Sequence, residues 1–141
     1  EELLDSSTQP CSPNSLIDYK IWCFGGEPAF TMCCSNRTPE SLELSVYDLD
    51  WKYLPESIRI TSHYKRPKEP IPRPASYDRM LDIARLLSAG FPEVRVDLYE
   101  VEGKVYFGEM TFSSAGGFMN YYTQGFLKLL GELTVLPCKP S

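Results

Sequence analysis

The sequence predicts an α+β domain, and three observations carry that prediction. Two pairs of strand-like runs, each joined by a short glycine-containing turn, have the signature of β-hairpins. One long segment repeats its apolar residues with a helical period. The strand-loop-helix alternation expected of a parallel nucleotide-binding sheet is missing.

The elements follow in order. Residues 5–15 are small, polar and proline-marked, and read as a loop. Ile17–Phe24 and Ala29–Ser35 are rich in β-formers and flank Gly25-Gly26-Glu27-Pro28, which predicts the first hairpin. Leu42–Tyr47 is a further strand, and Asp48-Leu49-Asp50-Trp51 leads into a turn near Pro55. His63–Pro74 carries Pro67, Pro70, Pro72 and Pro74 among Lys65, Arg66, Lys68 and Arg73. Proline fixes φ and removes a backbone donor, so this stretch is expected as an extended spacer. Its Pro-x-x-Pro spacing is also that of a ligand for an aromatic groove.

Ser76 is placed to cap a helix reaching Ala89, because Met80, Ile83, Ala84 and Leu87 share one face. Gly90 and Pro92 stop it. A shorter helix is expected over Thr123–Leu130, ending at Gly131. Val94–Val101 alternates cleanly, with Val94, Val96 and Leu98 on one face and Arg95, Asp97 and Tyr99 on the other. Lys104–Phe112 is its hairpin partner across Glu102-Gly103.

The 141 residues and 16.1 kDa fit a single domain with a real core. A net charge of -5 argues against nucleic acid as a partner, since phosphate backbones are bound by clustered positive charge. Hydrophobic content of 43% excludes a wholly disordered chain. No apolar run approaches the roughly 18 residues of a membrane span, and no secretory leader pattern opens the sequence. Residue 1 is Glu and the opening residues resemble the interior of a longer polypeptide. A fragment is therefore expected, its missing partner being the N-terminal portion of the same polypeptide. Cys11, Cys23, Cys33, Cys34 and Cys138 form no CxxC pair and have no histidine at zinc spacing, so they are expected as reduced, packing thiols.

Arg95, Asp97 and Glu109 form the constellation of chemical interest. A two-residue turn at Glu102-Gly103 would oppose Val96 to Glu109 and send the two carboxylates to opposite sides of the sheet. A three-residue turn with Gly103 in the left-handed position pairs Glu100 with Lys104 instead. Glu109 then lies across from Arg95 and diagonal to Asp97, on one face. Hydrophobicity favours this second register, because it gathers Tyr106, Met110 and Phe112 with Val94, Val96 and Leu98. Gly108 falls on that apolar side too, where it would admit a close neighbour. Two converging carboxylates suit a hard divalent ion such as Mg²⁺. From spacing alone, a plain surface pair of Arg95 with Glu109, with Asp97 merely solvated, is the favoured reading, and the metal site is a hint.

Phe91–Phe112, FPEVRVDLYEVEGKVYFGEMTF, closely resembles the C-terminal signature of the ATP-grasp superfamily, in particular its TupA-like branch. Ile17–Pro28 (IDYKIWCFGGEP), Val46–Pro55 (VYDLDWKYLP) and Leu129–Pro137 (LLGELTVLP) are similar to other segments of that branch, in the same order. The resemblance implies an antiparallel sheet flanked by helices that binds Mg-ATP between two subdomains. It implies activation of a carboxylate as an acyl phosphate, then attack by an amine or another nucleophile. The branch is linked to teichuronopeptide and cell-surface polysaccharide biosynthesis, so a small-molecule or polymer carboxylate is the implied substrate and the bacterial cytoplasm the implied location.

By position, Asp97 and Glu109 match the two metal carboxylates, Arg95 faces the phosphates or the acyl phosphate, and Lys20, with Asp18 beside it, lines the same cleft. Glu1-Glu2-Leu3-Leu4 resembles the hinge that contacts adenine and ribose, which makes Glu2, Leu4 and Lys20 the implied cofactor-binding residues. Two departures stand out: Glu109-Met110-Thr111 replaces the usual E-x-N, and Ser113-Ser114 replaces Tyr-Pro. The lysines and glycine-rich loop that precede this region in the superfamily are absent, so the piece alone is expected to bind Mg-ATP weakly and turn nothing over.

Two other readings stand beside this one. Asp48-Leu49-Asp50 fits the D-x-D metal motif of a sugar-nucleotide glycosyltransferase, and the departures leave room for a non-catalytic nucleotide-binding or interaction module. His63 is expected as a loop histidine. Trp22, Trp51, Tyr121 and Tyr122 are expected in packing, with a sugar-stacking platform as the functional alternative.

Overall fold

The computed structural model describes residues 12–13, 15–112, 123–126 and 128. The strands are β1 (Asp18–Phe24), β2 (Glu27–Ser35), β3 (Leu42–Tyr47), β4 (Tyr64–Lys65), β5 (Glu93–Val101) and β6 (Lys104–Phe112), with one α-helix, α1 (Tyr77–Ser88), and a 3-10 turn at Pro55–Ser57. They form one six-stranded sheet in the order β4-β3-β2-β1-β5-β6. The α+β class holds. The sheet is mixed rather than wholly antiparallel, because β4 runs parallel to β3 while every other pair is antiparallel.

The first hairpin closes more tightly than expected. Gly25 and Gly26 alone make the turn, at φ +59° and +84°, a conformation that glycine adopts without steric cost. Phe24 therefore faces Glu27 across the hairpin, and a bulge near Trp22 and Cys23 restores the pairing further along. The other edge of β1 pairs with β5, which brings Lys20 opposite Asp97 and Trp22 opposite Arg95. Of the shorter predicted helix, Gln124, Gly125, Phe126 and Lys128 are helical, and the rest lies outside the described residues.

Strand alternation sorts side chains between the faces. Tyr19, Ile21, Cys23, Val94, Val96 and Leu98 pack against Tyr77, Met80, Leu81 and Ala84 of α1. Cys33 joins this side and its neighbour Cys34 the other, as alternation requires. The proline-rich connector departs from a free spacer, because Ile71 within it is only 1% exposed. Its N–H donates to the Tyr47 hydroxyl at 2.6 Å, and its carbonyl accepts from Trp51 Nε1 at 2.7 Å. Trp51 in turn stacks on Tyr47 with ring centroids 4.3 Å apart. Trp51 is thus a packing residue.

Ser76 precedes α1 but does not cap it with its own side chain. Instead the carboxylate of Glu100, on β5, accepts hydrogen bonds from the Ser76 N–H at 2.7 Å and from the Ser76 hydroxyl. Gly90, at φ +87°, follows the helix end as expected. No helix among the described residues is long and apolar enough to cross a membrane.

The opposite face of the sheet is divided. Trp22, Phe30, Met32, Cys34, Leu44, Val46, Ile58 and Phe126 form a second apolar cluster over its β1–β3 half. Toward β5 and β6 that same face carries Asp18, Lys20, Arg95, Asp97, Glu109 and Thr111.

Candidate functional site

The β5–β6 hairpin decides where its carboxylates point. Its turn has two residues, with Val101 paired to Lys104 and both Glu102 and Gly103 at positive φ (+52° and +77°). The three-residue turn expected from the sequence is therefore incorrect, and so is the pairing of Glu100 with Lys104. The shared face survives by another route. The register shifts after Leu98↔Phe107, Gly108 is left unpaired as a bulge, and Asp97 pairs directly with Glu109 rather than diagonally. Beyond the bulge, Val96 faces Met110 and Val94 faces Phe112 on the α1 side. Tyr106 pairs with Tyr99 on the other side, contrary to expectation, and Phe107 takes the place beside Leu98.

Around Asp97 the charged side chains form one network. Arg95 Nε donates to Asp97 Oδ1 at 2.9 Å and Arg95 Nη2 to Oδ2 at 3.1 Å. The same Nη2 reaches Glu109 Oε1 at 3.3 Å and Thr111 Oγ1 at 3.2 Å. From β1, Lys20 Nζ donates to Asp97 Oδ2 at 2.7 Å and lies 2.8 Å from Asp18 Oδ2. The Arg95 guanidinium also sits 6.0 Å from the Trp22 ring centroid, within cation–π range.

Depth separates the members. Arg95 and Asp97 are 6% and 2% exposed. The Glu109 side chain, at 65%, is open to solvent. Burial tends to lower the Lys20 pKa, but its ion pairs with Asp18 and Asp97 overcome this and leave it raised. Burial raises Asp18 more than the attraction of Lys20 lowers it, and Asp18 Oδ1 is a buried oxygen with no hydrogen-bond partner among the described residues. Asp18 and Thr111 thus belong to the cluster, and Tyr99 shares their face. The two-residue period of β5 places Tyr99 beside Arg95 and Asp97, as the sequence predicts.

Asp97, Glu109 and Thr111 offer only oxygen donors, the kind that a hard divalent ion takes, so the residues present fit magnesium in type. The Arg95 guanidinium bridges the two carboxylates in this arrangement. Among the described residues no group of three or more His, Cys, Asp or Glu side chains is arranged around a metal position.

The remaining predicted residues lie elsewhere. Glu2, Leu4, Tyr121 and Tyr122 fall outside the described residues. Asp48 Oδ1 accepts N–H bonds from Asp50 at 2.9 Å and Lys52 at 2.8 Å, so D-x-D here closes a turn. His63 is exposed, with Nδ1 3.0 Å from the Glu40 carbonyl. Trp22 is 3% exposed and stacks on Phe30, which identifies it as packing. A surface cavity of about 410 Å³ between the start of α1 and the β5–β6 turn, lined by Ser76, Arg79, Ile83, Lys104 and Tyr106, contains none of the cluster residues.

Among the described residues, the domain is a mixed sheet with a buried cation–carboxylate network on one face, beside the second apolar cluster. The chain belongs to the TupA-like ATP-grasp family, whose model matches residues 1–135. It is accordingly an ATP-binding, ligase-type domain of that superfamily. Comparison with curated proteins and with solved structures found no match.

Proposed function

We propose that this domain works in an Mg-ATP-dependent ligase that activates a carboxylate as an acyl phosphate in the synthesis of a bacterial surface polysaccharide or teichuronopeptide. Family membership supports ATP and ligation. The observation that supports these particular residues is the convergence of Lys20 and Arg95 on Asp97, directly opposite Glu109.

The chemistry has two steps. A substrate carboxylate oxygen attacks the γ-phosphorus and ADP leaves, and then an amine or another nucleophile attacks the acyl carbon and expels phosphate. Lys20 and Arg95 supply fixed positive charge where the phosphoryl oxygens become more negative, without having to reorganise. Asp97 orients both cations, since its Oδ2 accepts from Lys20 and Arg95 and its Oδ1 from Arg95. Asp97 and Glu109 would hold the magnesium, which screens phosphate charge when bound. Glu109 is the more adaptable partner because its solvent exposure leaves it free to turn toward a ligand.

Calorimetric titration of the chain with ATP, with and without Mg²⁺, tests this reading. Saturable Mg²⁺-dependent binding is expected, weakened about tenfold or more by Glu109→Gln, equivalent to about 1.4 kcal/mol. Absence of Mg²⁺-dependent binding overturns the reading. In the complete polypeptide, release of ADP that depends on a carboxylate identifies ligation, whereas release of UDP or GDP identifies glycosyl transfer. A second reading, a binding module that does not turn over, draws support from the Arg95 bridge already filling the space between the carboxylates. Nucleotide binding by the complete polypeptide with no ADP release under any acceptor would favour it.

A further inference from the structure

A two-residue turn followed by regular alternation would pair Val96 with Glu109 and drive Glu109 to the α1 face, where Val96 is fully buried. The observed hairpin has that turn and yet places Glu109 opposite Asp97, because Gly108 is left out of the ladder. We propose that Gly108, roofed by Tyr99, is a positioning residue that sets Glu109 and Thr111 on the ligand face; the inference rests on the ATP-dependent reading above only for its functional readout.

The glycine serves space rather than backbone freedom. Gly103 needs its positive φ, whereas Gly108 is absent from the glycines with positive φ. A Cβ on Gly108 would stand 2.9 Å from Tyr99 Cε2 and 3.0 Å from the Asp97 carbonyl oxygen. The tyrosine ring can turn aside. The carbonyl cannot, because it belongs to the backbone of β5 at the centre of the cluster. Any side chain at 108 must therefore push β6 away at Asp97, or slip the strand by one residue and flip its faces. Both movements take Glu109 Oε1 and Thr111 Oγ1 away from Arg95 Nη2.

One consequence runs against ordinary expectation. Removing Gly108 altogether keeps Leu98 opposite Phe107 and Asp97 opposite Glu109, now in an unbroken ladder with the same faces. Adding one methyl group should harm the site, and deleting the residue should spare it.

The experiment compares wild type, Gly108→Ala, the Gly108 deletion, Glu109→Gln and the Gly108→Ala/Glu109→Gln double variant. Circular dichroism first confirms that each is folded. Mg-ATP affinity is expected to fall about tenfold or more in Gly108→Ala and to stay within about threefold of wild type in the deletion. In the Glu109→Gln background Gly108→Ala should cost clearly less than in wild type, since residues acting through a shared contact are not additive and only the displacement of Thr111 is left to count. Wild-type affinity in Gly108→Ala, or an undiminished penalty in the Glu109→Gln background, overturns the proposal. Should the deletion fail to fold, the double-variant comparison decides by itself. Should wild type bind no nucleotide, the functional proposal fails, and the positioning claim is judged on the Arg95 Nη2–H signal in ¹H–¹⁵N spectra, since Nη2 is the donor to Glu109 and Thr111. That signal is expected to be protected in wild type and shifted or broadened in Gly108→Ala, and an unchanged signal overturns the claim.

Discussion

Asp18 and Asp97 share one lysine on unequal terms. Among the described residues, Asp97 accepts three N–H donors from Lys20 and Arg95, whereas Asp18 has Lys20 alone and one buried oxygen unpaired. Burial therefore wins at Asp18 and its pKa is raised. The sign follows from linkage: a folded-state pKa above the unfolded one means that the native state binds the proton more readily. Ionised Asp18 thus costs stability above its raised pKa, and the cost is relieved as pH falls through it. Lys20 is also raised, so its favourable contribution is complete below the unfolded value near 10.5 and is lost as pH rises through the folded one. Urea unfolding of Asp18→Asn should show higher stability than wild type at neutral pH, with the gap closing as pH falls through the raised folded value toward 3.8. A gap that widens on acidification would contradict this assignment. Alternation on β5 made Arg95, Asp97 and Tyr99 legible as one face. Lys20 contacts Asp97 from 77 positions away, and no local spacing encodes which strand lies alongside β5.

Elements were easier to find than the devices that join them. Strand and helix periods located β1, β2, β3, β5, β6 and α1, because burial on one face imposes a period on the sequence. What local pattern did not encode was Glu100 reaching across from β5 to the first residue before α1. That carboxylate satisfies the Ser76 N–H and sits where the helix dipole favours negative charge. Glu100→Ala should cost about 1 kcal/mol and lower Tm by about 2–5 °C, measured by thermal circular dichroism. The β5–β6 hairpin teaches a related lesson: hydrophobic sorting correctly put Asp97 and Glu109 together, while the turn and the bulge exchanged roles. Residue types within a hairpin constrain its faces more strongly than they constrain where the extra residue is accommodated. In β2 the adjacent Cys33 and Cys34 divide between the faces, and burial pushes the Cys34 thiol to about 12, as it pushes Cys23 on β1 to about 11. Thiolate is the reactive form, so iodoacetamide at neutral pH should leave Cys23 and Cys34 unlabelled in the native chain and modify both in denaturant, as peptide mass mapping would show.

Across the whole molecule, stability and chemistry meet in Asp97. One face of the sheet is sealed by α1 and the strap at Ile71, and the apolar cluster on the other face ends before the charged network begins. Arg95 and Lys20 are held there with side chains only 7% and 12% exposed, compensated mainly by a carboxylate that is itself buried. Neutralising Asp97 leaves both cations short of a partner in poor solvent, and breaking a buried ion pair by removing one member costs about 3–5 kcal/mol. That is a large share of the roughly 5–15 kcal/mol that holds a domain together. Glu109 is different, since its side chain is 65% exposed and carries one long contact to Arg95. Glu109→Gln is therefore expected to shift the urea midpoint little, in line with the worth of an exposed pair, about 0–1 kcal/mol. Asp97→Asn should shift the midpoint strongly and lose nucleotide binding together with structure. If both carboxylates serve the ligand, binding per folded molecule falls in both variants while stability falls in only one. Equal destabilisation by the two substitutions would mean that Glu109 is bound into the network as firmly as Asp97, and the division of labour between a buried anchor and an exposed, movable carboxylate would not hold.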